Sequence, residues 1–341
     1  FNANANVKMN SKRNTHPIMK LPFKPIEFKI AYKIGLIIKN PIIIDLYQLG
    51  ALPKNSFCIS LNIYFILNLF LMDFKRFLDI NINEDNKFII FRNNKILYEP
   101  ELKTFVLDGA YLDLNVDELE LVGIGIDNYK IYALDITNYN KEINVGYKSL
   151  IEYDIRHLLA ISNPKDIVLM GRANQLLHWV QRNKFCGYCG KLNKFDKKEE
   201  ALYCKCTSTM IYPSIAPCIL AMITKGDEIL LARNNLFPKG LYSILAGFVE
   251  VSESAEETVK REVLEEVNLK VKNIKYFGSQ PWPFPSQLML GYSCEYDSGE
   301  IKIDENEIAE ANWYKVDNLP HVPPETSLSG KLINSFVADH S

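Results

Sequence analysis

The sequence predicts a multidomain protein of the α/β or α+β class, and three observations carry that expectation. Short apolar runs broken by Asn-rich turns, beginning near Phe88, read as strands. A helical periodicity follows between residues 149 and 183. Beyond a cluster of four cysteines, strand-like runs alternate with an acidic helix and close on a terminal helix. The 341 residues suffice for two or three domains, and a hydrophobic content of 48% supports a sizeable core. A formal net charge of −2 argues against a general nucleic-acid binder.

In chain order, residues 1–71 form a basic, apolar extension with nine Lys and Arg against two acids, Glu27 and Asp45. The rest holds 30 basic and 39 acidic residues, so the two parts differ in composition. The uncharged stretch 56–72 spans 17 residues, the short limit for a membrane helix, and contains Asn62 and Asn68. It reads as a buried element, a marginal anchor, or sequence outside the functional protein. Met72 is then a candidate natural start, with a targeting or anchoring extension as the competing idea. No stable membrane association is expected.

Residues 72–183 are expected to form an α+β domain. Its strands fall at Phe88–Phe91, Thr104–Leu107, Leu119–Ile126 and Lys130–Leu134, and two helices are separated by Asn163-Pro164. Ile155, Leu158 and Leu159, then Ile167, Met170, Ala173, Leu177 and Val180, recur at helical spacing. Residues 184–213 carry the cysteine cluster. Residues 214–341 open with a hairpin, Cys218–Thr224 and Glu228–Ala232, around Lys225-Gly226-Asp227. A strand at Tyr242–Ala246 ends at Gly247, and an acidic helix covers 254–267. Strands at Lys275–Ser279, Gln287–Glu295 and Glu307–Tyr314 follow, then a helix over Ser327–Val337.

Seven cysteines is an odd number, and four of them, Cys186, Cys189, Cys204 and Cys206, lie within 21 positions. That pattern suggests reduced thiols with a metal site, not a disulfide framework. Cys186-x2-Cys189 has the spacing of half a zinc knuckle, whereas Cys204-x-Cys206 is one residue short of the usual second half. A closed, structural four-thiolate Zn²⁺ is the reading; free buried thiols are the alternative.

The acidic helix contains REVLEEV, residues 261–267. Ser254 stands three residues before Glu257, a capping-box pattern. With Val259 at zero, Val263 and Val267 fall at about 40° and 80°, and Leu264 at about 140°, at about 100° per residue. Glu262, Glu265 and Glu266 fall near 300°, 240° and 340° by the same count. One face is therefore apolar and the other carries three carboxylates. A solvated face is the ordinary explanation of such a helix. Yet Glu262 and Glu266 are like charges at i,i+4, which destabilises the helix unless a cation lies between them.

The flanks extend the pattern. Gly247, five residues, Glu253, seven residues, then Arg261-Glu262-Val263-Leu264-Glu265-Glu266-Val267-Asn268-Leu269 closely resembles the Nudix box. The one departure is Asn268 in place of the second Gly, and Asn tolerates positive φ. The resemblance implies a Nudix α/β/α sandwich with a mixed sheet over residues 214–341. It also implies hydrolysis of a nucleoside diphosphate linked to another moiety, with Mg²⁺ or Mn²⁺. Glu262 and Glu266 would be metal ligands, and Glu265 a ligand or the base. Arg261 would orient the carboxylates, and Glu253 would support the loop and share in metal binding.

Further on lies SQPWPFP, 279–285, a proline-rich stretch presenting Trp282 and Phe284. It reads either as a stiff connector with core aromatics or as a substrate loop. At this distance from the box it resembles the signature of the NADH pyrophosphatase family of zinc-containing Nudix hydrolases. That family carries Ser where Gln287 stands here. The resemblance implies cleavage of NAD(H) to nicotinamide mononucleotide and AMP, and removal of NAD caps from RNA 5′ ends, by a cytoplasmic homodimer. It implies a zinc ribbon over 184–213 and metal contacts at Ala246 and Glu307. Substrate contacts fall on Tyr212, Phe248, Gln280, Trp282, Phe284, Gln287 and Ser329. Two other functions stay open: a Nudix hydrolase of another dinucleotide or a nucleoside diphosphate sugar, and a non-catalytic nucleotide- or RNA-binding module.

Overall fold

Residues 86–112, 120–124, 131–139, 143 and 146–341 are described by the structure, a computed structural model. The expectations for residues 1–71, including the apolar stretch and Met72, lie outside the described residues.

The first sheet opens with β1 (Lys87–Arg92) and β2 (Lys95–Tyr98). Asn93 and Asn94 join them at φ of 51° and 60°. A two-residue hairpin turn needs left-handed backbone at both positions, and Asn adopts it more readily than most side chains. The sheet is completed by β3 (Leu107–Asp108), β4 (Glu120–Gly123), β5 (Ile131–Asp135) and β6 (Ile151–Asp154). Its order is β4-β5-β1-β2-β6, with β3 also paired to β1. One face, with Ile89, Phe91 and Ala133, packs on two helices. These are α1 (Ile155–Ile161) and α2 (Pro164–Arg182). Asp154 caps the first and Asn163 the second, each accepting a backbone N–H. Leu158, Met170, Ala173 and Leu177 are buried in that cluster, in line with their helical spacing.

A small sheet follows, β7 (Lys194–Asp196), β8 (Ala201–Tyr203) and β9 (Met210–Ile211), in that order. The second large sheet comprises β10 (Ala216–Lys225), β11 (Glu228–Asn234), β12 (Leu245–Phe248), β13 (Lys270–Trp282), β14 (Gln287–Ser298) and β15 (Ile308–Lys315). Its order is β13-β14-β10-β11-β15, with β12 on β10. It is mixed, because β10 and β14 run parallel. Helix α3 (Ala255–Val267) lies between β12 and β13 in sequence, and α4 (Leu328–His340) ends the chain. Alternation along β10 separates two cores. Ile219, Ala221 and Ile223 join Val259, Val263 and Val267 of α3. Cys218, Leu220 and Met222 join Leu332, Ile333 and Phe336 of α4. The result is an α/β/α sandwich.

Several boundaries differ from the sequence expectation: the strand expected at Thr104–Leu107 is reduced to β3, Leu107–Asp108, with Thr104 in an isolated bridge to Glu99, and two further differences bear on the site. The strand expected at Tyr242–Ala246 is β12, Leu245–Phe248, which takes Gly247 and Phe248 into the ladder opposite Ile219 and Cys218. The strand expected at Lys275–Ser279 runs from Lys270 to Trp282, so Gln280, Pro281 and Trp282 pair with Met289, Leu288 and Gln287. Pro281 is tolerated because β13 is an edge strand with one side of its ladder free. No described helix is long and apolar enough to cross a membrane.

Candidate active site

Helix α3 begins with the capping box its sequence predicts. Ser254 accepts from Glu257 N, and the Glu257 carboxylate accepts from Ser254 N. It ends at Asn268, which sits at φ 60° and donates its backbone N–H to Leu264 and Val263. Asn268 thus fills the left-handed position where the Nudix pattern has Gly.

The burial of α3 departs from the expected division into apolar and acidic faces. Leu264 is 46% exposed, while Glu266 is only 5% exposed. Glu266 lies beside Val259 and Val263 on the helical wheel, and Leu264 lies beyond Val267. The buried arc is therefore centred on Val259 and Val263, and it draws one carboxylate under cover.

Arg261 organises the acids. Its Nε and Nη2 donate to the two Glu253 oxygens, each at 2.9 Å. Its Nη1 donates to Glu262 at 2.8 Å and to Glu265 at 2.9 Å. Nη2 also reaches the Phe248 carbonyl at 2.8 Å. A rigid guanidinium fork can hold this many acceptors at once, and a lysine cannot. Hydrogen bonding to Arg261 holds the Glu253 carboxyl down at about 2. Thr258 Oγ1 also donates to Glu253.

Glu262 and Glu266 behave oppositely. Burial raises the Glu262 carboxyl above its usual range despite Arg261. Burial first, then the charges of Glu262, Glu307, Glu265 and Asp304, push Glu266 up to about 8. One Glu266 oxygen, Oε2, is buried without a hydrogen-bond partner. A sequestered carboxylate with an open lone pair, among like charges, is a donor set that fits a divalent cation.

The loop bearing Glu307 is fastened to α3, since Asp304 N donates to Glu266 O and Glu307 N to Asp304 O. It is also fastened to the turn after β11, since Asn235 N donates to Glu307 O and Asn235 Nδ2 to Glu305 O. A cavity of about 270 Å³ opens here, lined in part by Glu266, Ala246, Ser243, Asn234, Leu236 and Phe237. The structure therefore brings together Glu253, Arg261, Glu262, Glu265, Glu266 and Ala246, with Glu307 close enough for its charge to act on Glu262 and Glu266. Asp304, Asn235, Leu236 and Phe237 escaped the sequence reading. Asp304 stood in an acid-rich string, IDENE, that gave a signal, but the other three reach the site only through the sheet topology.

The NUDIX domain family matches residues 214–336. A protein of Pseudomonas syringae pv. syringae (strain B728a) called "NAD-capped RNA hydrolase NudC" is 46% identical over 173 residues, 51% of this chain and 62% of that one. One of the same description from Salmonella heidelberg (strain SL476) is 49% identical over 170 residues, 50% of this chain and 66% of that one. Residues 214–336 therefore carry a NUDIX domain, and the matched half of the chain is similar to NudC-type hydrolases. The chain spans somewhat under two thirds of the length of the curated relatives it matches. Among solved structures, a NUDIX hydrolase from Nitrosomonas europaea is 18% identical with a TM-score of 0.38, covering 46% of this chain and 91% of that one. Nudix hydrolases use divalent metals.

Ahead of the Nudix domain, the Sγ atoms of Cys186, Cys189, Cys204 and Cys206 all lie within 4.8 Å of one another. Backbone N–H groups of Cys189 and Tyr188 pull the Cys186 thiol down to about 6, whereas neighbouring thiols and burial raise that of Cys206. Four converging sulfurs fit a soft cation such as Zn²⁺, and the short Cys204-x-Cys206 turn does not scatter them.

The remaining Nudix-family positions are placed as follows. Phe248 is 49% exposed, and its backbone carbonyl is held by Arg261. Tyr212 is exposed and donates to Glu199 at 3.0 Å. Gln280 bridges to the start of α4, donating to Thr326 O and accepting from Leu328 N. The Ser329 hydroxyl lies 3.2 Å from that of Ser327. Gln287 opens β14 opposite Trp282. Trp282 packs on the core beneath α4, and Phe284 packs on the core of the first sheet. Their rings meet edge to face at 5.2 Å, and Arg156 stands over Phe284. Asn174 of α2 donates to Pro283 O at 2.7 Å, so the first sheet's helices grip the turn between β13 and β14.

Proposed function

We propose that the chain hydrolyses the pyrophosphate of NAD(H), giving nicotinamide mononucleotide and AMP, and that it removes NAD caps from RNA 5′ ends. The observation that carries this is the carboxylate set of Glu262, Glu265 and Glu266 around Arg261, in a chain whose relatives at 46% and 49% identity are called NAD-capped RNA hydrolases. In this reading Glu262, Glu266 and Glu307, with Ala246, hold Mg²⁺ or Mn²⁺. Held there, such a cation would supply charge neutralisation for the pyrophosphate and acidification of a water. Arg261 fixes Glu262 and Glu265 in place, and Glu253 fixes Arg261. Glu265, the most exposed of the three acids, is a further ligand or accepts the water's proton. Phe248 offers a flat face to one base. Cys186, Cys189, Cys204 and Cys206 hold a structural Zn²⁺. A cytoplasmic location suits four clustered free thiols, and a homodimer, with Tyr212 near the nicotinamide site, completes the reading.

Gln287, standing where the NADH pyrophosphatase signature has Ser, favours a second reading in which the partner of the nucleoside diphosphate is a different group. Product analysis separates the two. Incubation with NADH, NAD⁺, ADP-ribose and NAD-capped RNA, each with Mg²⁺ or Mn²⁺, should yield AMP and nicotinamide mononucleotide from NADH, and 5′-monophosphate RNA from the capped RNA. Cleavage of ADP-ribose alone would overturn the proposal in favour of the second reading, and cleavage of none would leave a non-catalytic binding module.

A further inference from the structure

Strand β12 and helix α3 lie level with each other along the site. Phe248 meets Arg261 through its carbonyl. Gly247 meets Glu262, whose Cδ would be 1.9 Å from a Cβ at that glycine. Ala246 and Glu266 share one cavity. The acids therefore lie along a track that starts at the Phe248 carbonyl. One strand residue, Gly247, separates Phe248 from Ala246, so the two are roughly 7 Å apart along extended chain. Past Ala246, at the other end, the cavity is rimmed by Leu236 and Phe237.

That rim has no role in the core. Leu236 is 92% exposed and Phe237 38%. A lone exposed leucine is ordinary, but this one borders a cavity containing an acid of the catalytic set. The rim is also held in place: Leu236 N donates to Asn234 Oδ1 and Phe237 N to Asn234 O, each at 2.9 Å. Asn235 fastens the same turn to the loop of Glu307. Apolar side chains gain nothing from a phosphate, whereas they gain by covering an aromatic base.

We propose that Leu236 and Phe237 form a second base subsite. A dinucleotide would then be held at both ends, by Phe248 and by this rim, with its pyrophosphate at the acids between them. This inference rests on the dinucleotide reading above and specifies how that site distinguishes a molecule with two bases from one with a single base.

The test measures binding of the two half-molecules, AMP and reduced nicotinamide mononucleotide, by calorimetry in Mg²⁺. Leu236→Glu should weaken one half about tenfold and leave the other within about twofold, since it removes one apolar contact with a base. Phe237→Ala should weaken the same half, and Phe248→Ala the opposite one. Leu236 is so exposed that its substitution should leave the melting temperature unchanged, which controls for misfolding. Loss of neither half, equal loss of both, or loss of the half that Phe248→Ala weakens would overturn the subsite, as would a wild type that binds neither half. Hydrolysis of NADH in the same preparation is scored separately. Its absence alongside the expected binding pattern would remove the proposed activity and leave the subsite standing.

Discussion

A methyl group placed on Gly247 would stand 1.9 Å from Cδ of Glu262. The glycine is therefore required by the closeness of strand β12 to α3, and φ plays no part in the requirement. Gly247→Ala must push the carboxylate aside. The clashing atoms are the far end of a flexible side chain, so the fold should persist with a small change in melting temperature. The reacting geometry should not, and displacement of about 1 Å can reduce turnover on the order of 100-fold. Measuring kcat beside the melting temperature checks this. A variant with wild-type kcat would show that Glu262 is free to move without consequence.

Glu266 should reveal a conflict between function and stability. Burial and neighbouring carboxylates push its pKa up to about 8 from the ordinary 4.5. The folded metal-free protein then holds a proton that the unfolded chain has released, so stability is present below 4.5 and lost as pH rises through about 8. Glu266→Gln removes that dependence. Without divalent metal, the variant should melt higher than wild type at pH 9, with a smaller difference at pH 5, and it should hydrolyse nothing. An equal difference at both pH values would mean that Glu266 is ionised throughout.

Most of the candidate acid cluster was legible because it lies in one continuous string. The Ser254 cap, the Asn268 terminator and the positions of Glu262 and Glu266 follow from helical geometry and side-chain chemistry. The burial of Glu266 and the exposure of Leu264 were also implicit in the wheel angles, but only once the buried arc is centred on Val259 and Val263 instead of being spread over every apolar residue. SQPWPFP was harder. Its prolines suggested a loop, yet Gln280 to Trp282 pair within an edge strand, where a missing N–H costs nothing. Leu236, Phe237 and Asn235 could not be read at all. They join the site because β11 lies between β10 and β15, a long-range pairing that no local pattern encodes.

The cysteine cluster should carry one Zn²⁺ per chain. Four sulfurs within 4.8 Å of one another would repel as thiolates without a cation between them. Metal analysis of the purified protein should find zinc, and Cys206→Ser should lose it together with thermal stability. Chelation should lower the melting temperature of wild type and leave that of Cys206→Ser unmoved. A protein free of zinc and indifferent to chelator would show that the thiols are simply packed.

Phe248 offers the sharpest test of what the site recognises. Its ring is 49% exposed, and its backbone carbonyl, not its ring, is what Arg261 holds. Phe248→Ala therefore removes the flat surface while keeping the carbonyl, the guanidinium and the carboxylates in place. A reduced nicotinamide ring is flat and uncharged, whereas the oxidised ring is cationic and would be repelled by a divalent ion nearby. Wild type should accordingly favour NADH over NAD⁺ in kcat/KM. In Phe248→Ala, the ratio of kcat/KM for NADH to that for ADP-ribose should fall about tenfold, the order of one lost aromatic contact. ADP-ribose keeps the pyrophosphate and the adenosine, so its own kcat should hold and certify that the acids still work. A constant ratio would place nicotinamide away from Phe248, and a collapse of both substrates together would show the ring to be structural.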